Sequence, residues 1–353
     1  TWDMLRKFAE TELRPHARQA ESDGRPSDEL LEKIKSLDLI SLIIPEAYGG
    51  MGLEQDSVSN ALALEALAYG DLSLAMSVSI PLLAAQIISE HGSEEQKAEL
   101  LPELINGSIF HVGLGINNAL VATDPYQSSV VADESGEEII LNGSKTGVAF
   151  ADDAKTFLIS ASNESGECNL YFVHKDQEGV ELEEKEFMGL KGAPLSQINL
   201  SDCKINASQK LGGHNYSINY EQLVDSSRIG MSALALGVCQ AVLDYVVPYT
   251  NERVAFDEAI SNRQSVAFMI ADMAIETEAL RLMVYKSSAL KDLGEDFHKQ
   301  ASLTYRFAAH HGMKIGTDGV QLLGGHGFTH EHPVELWYRN LRAIGIFEGG
   351  AGV

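Results

Sequence analysis

Cysteine is scarce in this chain of 353 residues: Cys168, Cys203 and Cys239 are the only three. They lie far apart and lack the spacing of a metal knuckle, which excludes a disulfide framework and points to a reducing compartment. Basic residues are also short, 26 Lys and Arg against 51 Asp and Glu, for a formal charge of -25. A field of that sign makes nucleic acid a poor partner. It also means that any phosphate-bearing ligand needs a local cluster of donors. No uninterrupted apolar run of membrane-spanning length is evident, so no membrane span is expected. The N-terminus lacks the basic start and apolar core of a signal peptide. The expected compartment is the cytoplasm, or the mitochondrial matrix should a transit segment precede the sequence as given. No G-x-G-x-x-G follows a strand pattern, which argues against a dinucleotide-binding α/β sheet.

What is present suffices for large cores: 44% of residues are hydrophobic, and this length suits two or three domains. Residues 2–20 place Leu5, Phe8 and Leu13 at helical spacing. Ser27 starts a second helix, and PEAYGGMGL (residues 45–53) reads as a loop. Residues 55–90 read as apolar helices, and Ser93 with Gln96 forms a capping box for the next one. After Gly107 the pattern changes to short β-branched segments at 110–115, 119–123, 127–132, 137–142, 155–161, 168–174, 179–183 and 196–200. Asn142-Gly143 reads as a hairpin turn. Cys168, His174 and Cys203 fall in strand-like context at irregular spacing and are read as core groups, not metal ligands. Helical periodicity returns near 219–249, 261–291, 296–319 and 333–340. The division predicted is an all-helical domain over 1–106, a β domain over 107–211 and a helical bundle over 212–353.

The chain closes on GVQLLGGHGFTHEHPVELWYRNLRAIGIFEGGAGV. Glu348 sits there between an aromatic residue and two glycines. A carboxylate so placed suits proton abstraction if apolar surroundings raise its pKa; a solvated turn is the plainer reading. Asp225 and Arg228, three residues apart, share one helix face, as a surface ion pair also would.

These motifs resemble the acyl-CoA dehydrogenase family, and the likeness runs from about residue 1 to 353. Gln321, Gly324, Gly325, Gly327 and Phe328 match its Q-x-x-G-G-x-G-[FY] loop, and Glu348 falls on the base of its E-G-T segment. The fold implied is α+β: an N-terminal helical domain, a central β-barrel-like domain and a C-terminal four-helix bundle. The resemblance implies FAD as cofactor and an acyl-CoA or other acyl thioester as substrate. It implies an electron-transfer flavoprotein or similar acceptor if the chain is active. Arg253, Phe256, Gln264, Gln321, Gly324 and Gly325 fall on cofactor positions, several of which serve a neighbouring subunit's flavin. Asp225, Arg228 and Gly349 fall on substrate positions, and Met76, Ile80 and Leu83 on the acyl wall. Self-association to a dimer or tetramer is implied, with a paralogous partner subunit as an alternative.

The departures are concentrated. After Asn142, Gly143 and Lys145 the chain has Gly147 and Ala149 where the family carries a tryptophan and a threonine against the flavin ring. Neither INNALVATD nor TDPYQSS keeps the glycines of T-E-P-G-x-G-S-D. Asp257 stands where glycine is usual, and Gly350 replaces the threonine of E-G-T. Three readings therefore stay open: a dehydrogenase with variant flavin contacts, a flavin-deficient or half-site subunit of a heteromer, and a different flavin-dependent oxidation.

Overall fold

A computed structural model describes residues 2–53, 56–118 and 124–348. The N-terminal helices are α1 (Trp2–Phe8), α2 (Arg14–Asp23), α3 (Asp28–Lys35), α4 (Leu39–Ile43), α5 (Ser57–Ala68), α6 (Leu72–His91) and α7 (Glu94–Asn106). A π-turn over Ala9–Leu13 joins the first two. Helix starts are set by side-chain acceptors. Ser27, Asp56 and Asp71 each take a backbone N–H of the first turn, and Ser93 with Gln96 forms the full capping box.

The middle of the chain is a mixed sheet of seven strands curled into a half-barrel. Its strands are β1 (Val112–Gly115), β2 (Val131–Asp133), β3 (Glu138–Ala149), β4 (Thr156–Ser162), β5 (Cys168–His174), β6 (Val180–Glu184) and β7 (Leu195–Asn206). The path runs β1-β4-β2-β3-β7-β6, with β5 paired to β4. Two details differ from the sequence expectation. Asn142-Gly143 makes no hairpin turn. Both lie inside β3, at a register shift between Leu141 and Gly143. There Gly143 has φ +132°, and a Cβ would lie 2.4 Å from the Ser129 carbonyl oxygen, so the motif answers a bulge rather than a chain reversal. The segment expected as a strand over 127–132 begins only at Val131. Side chains replace ladder bonds before it: Ser128 N–H donates to Ser162 Oγ and Ser128 Oγ to the Ser160 carbonyl. The segment 119–123 lies outside the described residues.

The C-terminal bundle holds α8 (Tyr220–Glu252), α9 (Gln264–Asp292), α10 (His298–Leu323) and the short α11 (Val334–Ile344). Helix α8 is its axis, packed on α10, α9 and also α5. At Gly237 of α8 a Cβ would sit 2.2 Å from the Glu65 carbonyl oxygen, so α5 approaches at backbone distance. Helices α6 and α8 prove long and apolar enough to cross a membrane. Even so, 72% and 67% of their most apolar windows are buried within the protein, as befits core helices. Because α8 and α10 run parallel, the start of α8 meets the start of α10 (Asp225 to His298) and its end meets the end of α10 (Tyr249 to Leu323 and His326). These two ends carry the residues that the resemblance marks.

Candidate active site

Glu348 lies at the wall of a cavity of about 120 Å³. Helices α5, α6 and α8 supply most of the lining: Leu64, Met76, Ile80, Leu83, Met231 and Leu234. The β domain adds Leu114, Ile116, Asn117 and Gly147. The carboxylate is buried and its backbone is left-handed, with φ +51°, a conformation that a residue with a side chain holds only when neighbours impose it. Four contacts do so. Ser227 Oγ donates to Glu348 Oε1 at 2.7 Å. Glu348 N–H donates to Asn117 Oδ1 at 2.9 Å. Arg228 Nη2 donates to the Glu348 carbonyl at 3.0 Å, and Tyr305 OH donates to the Phe347 carbonyl.

The electrostatics follow from this enclosure. Burial pushes the Glu348 carboxyl above the ordinary carboxylate range, against the Ser227 hydrogen bond and the Arg228 and Lys145 charges. Lys145 is itself buried in β3, donating to the Ile116 carbonyl at 3.2 Å and to Asn118 Oδ1 at 2.9 Å. Burial lowers its ammonium to about 7. A carboxyl held by one oxygen, with its pKa raised by burial, is chemically a proton acceptor.

Asp225 and Arg228 do not line this cavity; they stand behind it. Asp225 is buried and accepts from Tyr126 OH at 3.0 Å and from His298 Nδ1 at 2.9 Å. Arg228 Nη1 donates to Tyr126 OH at 2.9 Å and to Ser302 Oγ at 3.1 Å. Burial raises the Asp225 carboxyl, and hydrogen bonding to Asp225 raises His298. The pair thus forms a buried network that fixes the Glu348 backbone, in place of a surface salt bridge. Gly349 lies outside the described residues.

The positions that the resemblance gives to the cofactor are elsewhere. Arg253, Gln264, Gln321, Gly324 and Gly325 are all exposed, gathered at the far end of the bundle. Twenty-five residues of α8 separate Arg253 from Arg228, or about 37 Å at 1.5 Å per residue. No single dinucleotide spans that distance within one chain. Phe256 and Asp257 form the two-residue turn of a hairpin between Val254–Ala255 and Glu258–Ala259, with φ +55° and +68°. Positive φ at both positions explains the usual glycine there, and Phe256 stands 89% exposed.

Beside Glu348 the ring end of a flavin is poorly matched. A second cavity of about 70 Å³ adjoins the first across Asn117, Gly147 and Phe347, and Arg339 and Arg342 help line it. The Phe347 ring covers Gly147 so closely that a Cβ there would be 3.0 Å from it. The neighbouring Ala149 has no hydroxyl, and the Glu348 N–H is already held by Asn117. The described residues of a single chain therefore do not fit a flavin: the nucleotide positions lie too far from Glu348, and Gly147 and Ala149 offer the ring no aromatic surface or hydroxyl.

Sequence reasoning passed over Asn117, Tyr126 and His298, which no motif marks. Ser227 is passed over too, although the Asp225–Arg228 pair marks this same turn of α8.

Three family models cover the chain in order: the acyl-CoA dehydrogenase N-terminal domain over residues 1–108, the middle domain over 119–203 and the C-terminal domain over 219–353. The chain is 33% identical to the probable acyl-CoA dehydrogenase FadE25 of Mycobacterium tuberculosis, across 98% of this chain and 90% of that protein. It is 30% identical to the 3-(aryl)acrylate reductase of Clostridium sporogenes, across 99% and 94%. Among solved structures, butyryl-CoA dehydrogenase from Megasphaera elsdenii superposes with a TM-score of 0.87 at 28% identity, covering 99% of this chain and 94% of that one. The chain belongs to the acyl-CoA dehydrogenase family, whose members are oxidoreductases.

Proposed function

We propose that this protein takes an acyl thioester into the cavity between α5, α6 and α8, and that Glu348 removes the thioester's α-proton. The observation that carries this reading is Glu348 itself, a buried carboxylate at an apolar cavity wall, locked on four sides into a left-handed backbone. One carboxylate oxygen is held by Ser227; the other has no partner among the described residues. A thioester α-proton is weakly acidic, so the developing enolate oxygen also needs a donor. We assign that role to Asn117, whose Oδ1 accepts the Glu348 N–H and whose Nδ2 remains a donor. Arg228, Asp225 and Tyr126 act as positioning residues, setting the backbone on which the base sits.

The oxidation step of the family needs a flavin, and the described residues of one chain do not supply its contacts. We infer that the retained far-end residues serve a second chain, in an assembly of at least a dimer. Helix α9 supports this with Phe268, Ile275 and Leu282, one every seven residues, exposed at 63%, 67% and 69%. A seven-residue apolar repeat on one helix face suits packing against another helix.

A heteromer is the second reading. It is favoured by the ring end, where Gly147, Ala149 and the Phe347 contact recur in every copy of a homo-assembly, so that a partner with an intact ring cradle would be needed. Exchange of α-protons from a short acyl-CoA into D₂O, followed by NMR, tests the base. Visible flavin absorbance of the purified chain, alone and mixed with a paralogue, separates the two assemblies. Colour in the chain alone contradicts the heteromer. Proton exchange unaffected by Glu348→Gln contradicts the base.

A further inference from the structure

The cavity that meets Glu348 is not apolar throughout. At one side it adjoins the second cavity across Asn117, Gly147 and Phe347; at the other it shares Leu83, Gln86, Ser226 and Lys291 with a surface pocket. Toward that second side the lining turns polar, with Ser57, Asn60, Gln86, Ser226 and Lys291. Lys291, in the last turn of α9, is partly buried. It has no hydrogen-bond or ion-pair partner among the described residues.

The acids around it are engaged elsewhere. The Asp292 carboxylate caps α5, accepting from Ser57 N at 2.6 Å and Val58 N at 3.1 Å. Glu90 accepts from Gln86 Nε2 at 2.9 Å and lies 3.6 Å from His91 Nε2. Glu295 stands exposed in the outer pocket. Burial lowers the Lys291 ammonium, more than Glu90 and Asp292 raise it, so the charged form is under-solvated where it stands. A cation lacking a partner inside a cavity gains most from an entering anion.

Resting on the acyl-thioester reading above, the geometry points to a substrate whose acyl chain ends in a carboxylate: its thioester lies at Glu348 and its far carboxylate on the Lys291 ammonium. The chain is short, because a cavity of about 120 Å³ is close in size to one of about 150 Å³ that holds a single six-carbon ring. Gln86 and Asn60 supply further donors to the same group.

Calorimetric titration of the purified assembly with adipoyl-CoA and hexanoyl-CoA tests this, since the two probes share six acyl carbons and differ in the terminal carboxylate. The wild type is expected to bind adipoyl-CoA about 10- to 100-fold more tightly, the range of a charge-assisted hydrogen bond. Lys291→Met, with an unchanged melting curve, is expected to erase that preference while leaving hexanoyl-CoA affinity within about twofold. Lys291→Arg is expected to keep most of it. Equal affinity of the wild type for both probes overturns the proposal. So does a Lys291→Met variant that weakens adipoyl-CoA, hexanoyl-CoA and free CoA alike, because the amine then meets CoA phosphates. Binding of neither thioester by folded wild type overturns the acyl-thioester reading itself, a result distinct from the other two.

Discussion

The two ends of α8 are built from the same helix and differ in burial. At its start, Asp225, Ser227 and Arg228 are buried, and each bonds to a partner distant in sequence: His298, Glu348, Tyr126 or Ser302. At its far end, Arg253, the Phe256 turn and the loop from Gln321 to Gly325 are exposed. The first arrangement is complete among the described residues of one chain, as the proposed proton chemistry requires. The second presents donors and apolar surface outward, as the proposed neighbouring site requires. Burial separates the two, and the sequence motifs alone treat both ends alike.

Variants of the two ends sharpen that contrast. The largest effect belongs to Glu348→Gln, which keeps shape but cannot accept a proton. It should reduce α-proton exchange by about 10²–10⁴-fold, the contribution of a positioned base, as NMR in D₂O would measure. Arg228→Met comes next: it leaves the Glu348 carbonyl, Tyr126 OH and Ser302 Oγ without their donor. Loss of about 1–3 kcal/mol in denaturant titration is expected, together with loss of exchange.

Ser227→Ala acts more gently. The Ser227 hydrogen bond opposes the burial that raises the Glu348 carboxyl, so removing it raises that pKa further. The base must be deprotonated to act, so the acidic limb of the pH–rate profile should move to higher pH. An unmoved or lowered limb would contradict the assignment. The smallest effect on the isolated fold belongs to Ile275→Glu on exposed α9. It should shift stability by no more than about 0.5 kcal/mol, yet dissociate the assembly in sedimentation. A stable assembly after that change would place the interface elsewhere.

Much of the architecture was legible in residue patterns. The helical periodicity before Gly107 and after Asn219, with short β-branched runs between, gave the order of elements, because burial of one face per element writes itself into spacing. Glu348 was found through its glycines and through resemblance. Its supports were not, since Asn117, Tyr126 and His298 come from a strand end, a loop and a helix start that only tertiary packing brings together. The Asn142-Gly143 pair misled for a related reason: glycine freedom serves a bulge as well as a hairpin, and the choice is made by Ser129 across the sheet. Asp225 and Arg228 were read as facing the substrate, whereas their shared helix face turns toward the bundle interior behind Glu348.

The central claim, that the far end of α8 completes a neighbour's site while Glu348 acts within its own chain, is tested most directly by mixing two inactive variants. Glu348→Gln and Arg253→Ala chains are unfolded together, reassembled and assayed for acyl-thioester turnover. In a hybrid dimer one site loses both residues and the other keeps both. The account predicts that turnover returns, to about half the wild-type value per hybrid by site counting alone. If Glu348 and Arg253 served one site within one chain, every site in the mixture would lack one of them. Absence of any recovery in a reassembled hybrid would contradict the account.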